Sequence, residues 1–221
     1  MDLSTPKEFR SSADYSDDSS PAEEAIKYEK WRFNATLVID SPYNGPPGEE
    51  VDEAWRELLH NMNMPLPGSD LRRLGTTSIP VPDRDDTYIA GMSVFHELHC
   101  LKRLRQYNYR DHYFPNITAD EERLNRLHTD HCIDVLRQGI MCHADISLFT
   151  LQWSRDSLMP RADFSGEHEC RNWGAINERA GERRIDLSVP GLLVHPFRGV
   201  AFPDGKGSLI GGSEDRSPTV T

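Results

Sequence analysis

Two segments of this chain, 32 residues apart, carry the same pattern of side chains that can bind metal. Residues 96–106 align without a gap on residues 128–138, and six of the eleven positions are identical. Each copy reads H-x-x-H-C and supplies two histidines and one cysteine: His96, His99 and Cys100 in the first, and His128, His131 and Cys132 in the second. Histidines at i and i+3 of a helix lie on one side, close enough to share an ion. The repeat therefore predicts two similar helices, each with a metal-binding edge.

Two such edges side by side would offer four imidazole nitrogens, a set that suits zinc, copper, iron or nickel. A single His-x-x-His pair is more often a hydrogen-bonded pair than a ligand set, but a gapless second copy that keeps the cysteine favours metal binding. A metal would also satisfy several imidazoles whose burial is otherwise costly. We predict that the metal ligands are His96, His99, His128 and His131.

The apolar residues Val135 and Leu136 lie beside the second histidine edge and predict that this edge faces the interior. Gly139 on the same side would let a partner helix approach closely. Periodicity predicts the first helix from about Met92 to Tyr109. A capping box at residues 118–121 begins the second helix, which extends to roughly Asp145.

The sequence predicts a mainly α, single-domain fold around this packed helix pair, with minor short strands and long irregular loops. Further helices are expected at about residues 21–31, 49–62 and 173–179, a strand at 33–39, and a loop or helix start at 168–170. We expect residues 1–19 to be a disordered acidic N-terminus, 20–203 the catalytic domain and 204–221 a flexible tail.

The composition argues against some classes of binding partner. A net charge of −11 argues against nucleic acid and against an anionic membrane surface. No apolar run approaches the roughly 20 residues of a membrane-spanning helix, and no signal-peptide pattern is visible. A homodimer is compatible with the sequence.

The cysteines allow two interpretations, as metal-binding thiolates or as disulfides; the candidates are Cys100, Cys132, Cys142 and Cys170. If one metal centre gathers both motifs, Cys142 lies about 15 Å along its helix from Cys132, beyond disulfide reach. This favours Cys142–Cys170 with Cys100–Cys132, or one disulfide plus free thiols. A chain without a signal peptide would instead meet a reducing cytosol, so the oxidation state stays open.

Other residues are weaker candidates. His168, two residues before Cys170, is a candidate catalytic residue, as an extra ligand or a proton shuttle, and is otherwise a surface histidine. Arg103 and Tyr107 lie on the histidine side of the first helix and would meet either a substrate or the second helix. Arg105 and Arg137 point away from it and are expected to form structural ion pairs. His143 closes the second helix, where a histidine normally complements the helix dipole.

The doubled motif resembles the fungal UstYa-like family of biosynthetic clusters for cyclic peptides and related secondary metabolites. The resemblance covers roughly residues 40–180 and continues in Pro42-Tyr43-Asn44-Gly45-Pro46-Pro47, Leu136-Arg137-Gln138 and His168-Glu169-Cys170-Arg171. It implies an oxidative tailoring enzyme that uses copper, rather than zinc or iron, with dioxygen and a small-molecule or peptide substrate. The four motif histidines would then be both ligands and catalytic residues. Family members usually carry an N-terminal membrane anchor in the secretory pathway, and this sequence shows none, which leaves its localisation open.

Three functions are compatible with these residues. The first is a copper-dependent oxidase that cyclises, hydroxylates or dehydrogenates a peptide or polyketide-derived intermediate. The second is a non-redox cyclase, dehydratase or isomerase that uses histidine acid–base chemistry or a Lewis-acid metal. The third is a metal-stapled scaffold without catalysis.

Overall fold

The structure is a computed structural model that describes residues 20, 22–34, 40–155, 157–203 and 205. This part of the chain contains six α-helices and four two-stranded antiparallel sheets, so the prediction of a mainly α fold is confirmed at that level. The helices are α1 (Glu49–Leu58), α2 (Gly68–Arg73), α3 (Ser93–Asn108), α4 (Arg110–Tyr113), α5 (Ala119–His143) and α6 (Trp173–Gly181). The strands are β1 (Tyr28–Arg32), β2 (Met64–Pro67), β3 (Thr87–Ala90), β4 (Thr150–Trp153), β5 (Pro160–Asp163), β6 (Glu167–Arg171), β7 (Val194–His195) and β8 (Gly199–Val200).

The two long helices, α3 and α5, carry the two motifs and lie in contact with each other. The predicted capping box opens α5: the Thr118 hydroxyl accepts from the Glu121 N–H, and the Glu121 carboxylate accepts from the Thr118 N–H at 2.8 Å. At the other end, Ala144 adopts a left-handed conformation (φ 38°) that ends the helix. The local sequence thus sets both ends of the second motif helix.

Arg105, on the far side of α3 from the histidines, ties that helix to the loop before α1. Its guanidinium donates to the Tyr113 hydroxyl at 2.6 Å and to the Gly45 carbonyl at 3.1 Å. The Tyr113 hydroxyl in turn donates to Asp52 at 2.5 Å. The predicted structural role of Arg105 is confirmed, and Arg137 likewise pairs with Asp134 on α5.

The start of α3 is fixed by a small apolar core. Phe95 is wholly buried together with Met64 and Ala180, and Trp173 packs against this cluster. The Phe95 and Trp173 ring centres are 5.4 Å apart. Because each helical residue advances about 100°, burying Phe95 turns its neighbour His96 towards the edge of the helix.

Two of the predicted elements are wrong. In place of the helix predicted at 21–31, the structure has a 3₁₀ turn at Glu23–Ala25 followed by β1. Strand β1 pairs antiparallel with β6. Residues 168–170 are accordingly in a strand rather than in a loop or helix start. The cause is the long-range pairing of β1 with β6, which satisfies backbone groups of both segments and overrides the local helical signal.

Some predictions concern residues outside the described part of the chain. Most of the strand predicted at 33–39 lies outside the described residues, as do residues 1–19 and nearly all of 204–221. Among the helices that are described, none combines the length and the apolar character needed to cross a membrane.

Candidate metal centre

The four motif histidines come together in a closed ring of imidazoles. Between the helices, the ring centres of His96 and His131 are 5.9 Å apart, and those of His99 and His128 are 6.1 Å apart. Within each helix the corresponding distances are 6.2 and 6.3 Å. The first histidine of each motif faces the second histidine of the other, so α3 and α5 run antiparallel and the two motifs are related by an approximate two-fold axis.

Burial divides this ring into two pairs. His99 and His128, here called the inner pair, are half-buried, whereas His96 and His131, the outer pair, are exposed. The prediction that the histidine edge faces the interior therefore holds for the inner pair and is wrong for the outer pair. The space between the helices is taken by the buried Cys100 and Cys132, and the outer histidines are left at its margin.

The inner pair is neutral at physiological pH. Burial lowers the pKa of His99 to about 4, with the neighbouring charges of His128, His96 and Arg103 acting in the same direction. Burial also lowers the pKa of His128, followed by the charge of Arg103. Neutral imidazole is the form that binds metals, so these two side chains need lose no proton on binding an ion at pH 7.

Arg103 places a fixed positive charge beside the inner pair. Its side chain is 3% exposed, donates to the Asn125 amide oxygen at 2.5 Å and lies 5.0 Å from the Phe114 ring centre. The sequence predicted that Arg103 meets either a substrate or the second motif helix, and its contact with that helix is observed. Tyr107, one turn further along α3, is half-buried, and its contact with a substrate stays a prediction.

The two motif cysteines meet behind the histidines. Cys100 and Cys132 are wholly buried, and their thiols form a hydrogen bond across the helix pair. Burial, with a smaller effect of this bond, raises the pKa of Cys100 to about 12, and burial raises that of Cys132. Without a metal ion such thiols stay protonated; their role as thiolate ligands stays a prediction. All four cysteines are free thiols in the structure, and the two disulfide pairings stay predictions.

His168 lies on β6. Its Nδ1 is 2.6 Å from the Asp145 carboxylate, and its ring stacks on Phe33 at 3.9 Å. Hydrogen bonds from Ser147, then the one from His168, lower the pKa of Asp145 to about 2. Among the described residues, His168 contacts Asp145 and Phe33, and no contact with the four motif histidines is seen. Its roles as ligand or proton shuttle stay predictions.

An open cleft of about 1350 Å³ lies beside His96. Its wall combines polar residues with apolar ones such as Leu66, Val94 and Trp173, and Glu169 and Arg171 add charge from β6. Because alternate strand residues point to opposite faces, these two lie on the other side of β6 from His168. His143 also lines the cleft. Sequence reasoning missed this cleft because its walls come from separate segments that only the fold brings together.

Glu97, between the two histidines of α3, also lines the cleft and rests on α5 at Gly139. A side-chain carbon added at Gly139 would lie 2.5 Å from the Glu97 carboxylate oxygen. Gly139 does permit the close approach that the sequence predicted.

The sequence model of the family described as "Mycotoxin biosynthesis protein UstYa" matches residues 3–183 of this chain. The chain belongs to the UstYa family. It is 38% identical over 154 residues to UstYa family oxidase phomYc of Diaporthe leptostromiformis, covering 65% of this chain and 60% of that protein. It is 30% identical over 175 residues to UstYa family oxidase aprY of Aspergillus flavus, covering 71% and 51%.

Not every relative of this UstYa family chain is named an oxidase. It is 30% identical over 173 residues to Transacylase cctO of Talaromyces islandicus, covering 72% of this chain and 58% of that protein. The chain matches between half and 60% of the length of these three relatives. No solved structure matches it.

The four motif histidines of this UstYa family member can share a metal ion only if their side chains move inward. With a metal–nitrogen bond of about 2 Å, four imidazoles that share one ion have neighbouring ring centres about 4.5–5 Å apart. The neighbouring centres, at 5.9 to 6.3 Å, are farther apart than this by about 1 Å or more. Accordingly, no group of three or more His, Cys, Asp or Glu side chains among the described residues is close enough to hold an ion without such a movement. The donor atoms suit a metal ion, and binding one requires the side chains to move inward.

Proposed function

We propose that this UstYa family protein is a copper-dependent oxidative tailoring enzyme of a fungal secondary-metabolite pathway. The observation that carries the proposal is the closed ring of four imidazoles, built from both copies of the repeated motif. The names of relatives such as phomYc and aprY support oxidation as the type of reaction. The substrate class we propose is a peptide or polyketide-derived intermediate.

His96, His99, His128 and His131 would hold the ion. Nitrogen-rich sites bind copper more tightly than the other divalent metals of the first row. Bound copper would supply one-electron exchange with dioxygen. The protein contributes the neutral inner pair, kept free of protons by burial and by the charge of Arg103.

The substrate would lie in the cleft, because the cleft borders the exposed His96 of the outer pair. Its volume of about 1350 Å³ exceeds the roughly 300–1000 Å³ of pockets for drug-sized ligands and so suits a larger molecule. The apolar part of the wall would hold the body of the substrate and leave the group to be oxidised near His96. Dehydrogenation or oxidative cyclisation would remove two hydrogens from the substrate, with dioxygen as the acceptor.

The direct test is metal content together with turnover. We expect the purified protein to bind copper in preference to zinc or iron by elemental analysis, and alanine at any of the four ring histidines to lower that content. His60→Ala is the matched control, since His60 lies beyond the end of α1, outside the ring. Full turnover of a pathway intermediate by metal-free protein would contradict the proposal, as would four ring variants that all retain wild-type copper.

The name of the relative cctO favours one second candidate, a non-redox group transfer. A neutral His99 or His128 could accept a proton from a nucleophile, since its lowered pKa keeps it unprotonated. Product mass and oxygen dependence separate the two functions. Oxidation stops under nitrogen and changes the hydrogen or oxygen content of the substrate, whereas acyl transfer continues without oxygen.

A further inference from the structure

The hairpin formed by β4 and β5 has one apolar and one polar face. In its register Leu151 pairs with Ala162, and Trp153 pairs with Pro160. Because alternate residues of a strand share a face, six residues form what we call the apolar hairpin face: Phe149, Leu151, Trp153, Pro160, Ala162 and Phe164. The opposite face is polar, and there the Gln152 amide donates to the Asp163 carboxylate at 2.7 Å.

The apolar hairpin face is open to solvent. Its large side chains are exposed to 60% (Phe149), 63% (Leu151), 80% (Trp153) and 47% (Phe164). Four apolar side chains flank the hairpin and are exposed to 72% or more: Ile146, Leu148, Leu158 and Met159. By the same alternation of strand residues, Leu158 shares the apolar face. Single exposed apolar residues are ordinary, but a contiguous set of this size marks an interaction surface.

We propose that a second copy of this chain covers the apolar hairpin face. One patch can pair with the same patch of another copy about a two-fold axis, which is the commonest arrangement in protein dimers. At about 200 Å² for each aromatic side chain, the exposed parts of Phe149, Trp153 and Phe164 supply roughly 400 Å². With Leu151, Leu158, Pro160 and Ala162, each copy offers on the order of 700 Å², close to the roughly 800 Å² that one partner contributes to a stable interface.

Charge favours a protein partner over a membrane. Residues 144–166 contain three aspartates and two arginines, and the whole chain has a net charge of −11. An anionic bilayer attracts surfaces with an excess of basic residues, which this segment lacks. The dimer surface is independent of the copper proposal, because no ring histidine belongs to it.

Sedimentation velocity of the full chain over a concentration series tests the proposal. We expect a monomer–dimer equilibrium with a micromolar or tighter dissociation constant. Replacing both Leu151 and Trp153 by lysine should weaken dimerisation by about 100-fold or more, because a central tryptophan is a typical hot spot and the new charges would be buried. The matched control adds the same two charges to the polar face of β4, at Thr150 and Gln152, and should change the constant by less than about threefold.

Circular dichroism checks that both variants keep their helices. A second measurement needs no charged variant: tryptophan emission of the wild type should shift to the blue as concentration rises, and the Trp153→Phe protein should lose that shift. A chain that stays monomeric at all concentrations overturns the proposal, as does a dimer insensitive to the Leu151/Trp153 change. Binding of the monomer to phosphatidylcholine vesicles through this face would assign it to a membrane and overturn the proposal equally.

Discussion

Acidification should destabilise the metal-free protein through the inner histidine pair. His99 has a pKa of about 4 in the fold, against 6.5 when free of its surroundings. As the pH falls below 6.5, His99 becomes protonated in the unfolded chain but stays neutral in the folded chain. The free energy of unfolding is therefore unaffected by His99 above pH 6.5 and decreases steadily between pH 6.5 and 4.

The size of this effect follows from the difference between the two pKa values. The difference between a pKa of 6.5 and one of about 4 corresponds to roughly 3 kcal/mol, and the partial exposure of the His99 side chain reduces this to about 1–3 kcal/mol. His128 acts in the same direction because its pKa is also lowered. Against a typical total stability of about 5–15 kcal/mol, such a loss is readily measured.

Urea unfolding between pH 7.5 and 4.5, with a chelator present, measures the effect. We expect the free energy of unfolding of the wild type to fall with pH and that of His99→Gln to fall by about 1–3 kcal/mol less, because glutamine does not titrate. The lowered pKa of Asp145, about 2, affects stability only below its ordinary value near 3.8, outside this window. Equal pH dependence of the two proteins between pH 6.5 and 4.5 would refute the reasoning.

Three further predictions concern the surroundings of the ring. Arg103→Met should lower the free energy of unfolding by about 2–4 kcal/mol, because it leaves the buried Asn125 oxygen without its donor, and should raise the His99 pKa followed by NMR. Gly139→Ala should be neutral or destabilising in the wild type, where the new methyl group meets Glu97. In the Glu97→Ala protein the same change should be stabilising by up to about 1 kcal/mol, because alanine has the higher helix propensity. Urea unfolding of the wild type, the two single variants and the double variant tests this. Iodoacetamide should label the exposed Cys142 first, because Cys100 and Cys132 are buried with raised pKa values; peptide mass spectrometry gives the order, and equal rates in folded protein would contradict it.

The elements that the sequence predicts correctly are those whose signals are local. The capping box at Thr118 and Glu121 begins α5 where expected, and the motif repeat identifies both helices that carry the ring. By contrast, β1 and β6 form only because segments about 140 residues apart in the chain pair with each other. No local pattern encodes that partner, so the strand that carries His168 could not be predicted. The cleft and the apolar hairpin face escape sequence analysis for the same reason.

The separation of the ring into two pairs explains how a symmetric motif could serve an asymmetric reaction. The repeat alone makes His96 equivalent to His128 and His99 equivalent to His131, and the antiparallel packing of α3 and α5 preserves that equivalence. The surroundings remove it, since Arg103 adjoins the inner pair whereas His96 of the outer pair opens on the cleft. In the proposed enzyme the inner pair would anchor the ion from the protein side and the outer pair would hold it towards the substrate. Loss of an inner histidine should then affect metal content most, whereas changes in the cleft wall should affect substrate binding at full metal content.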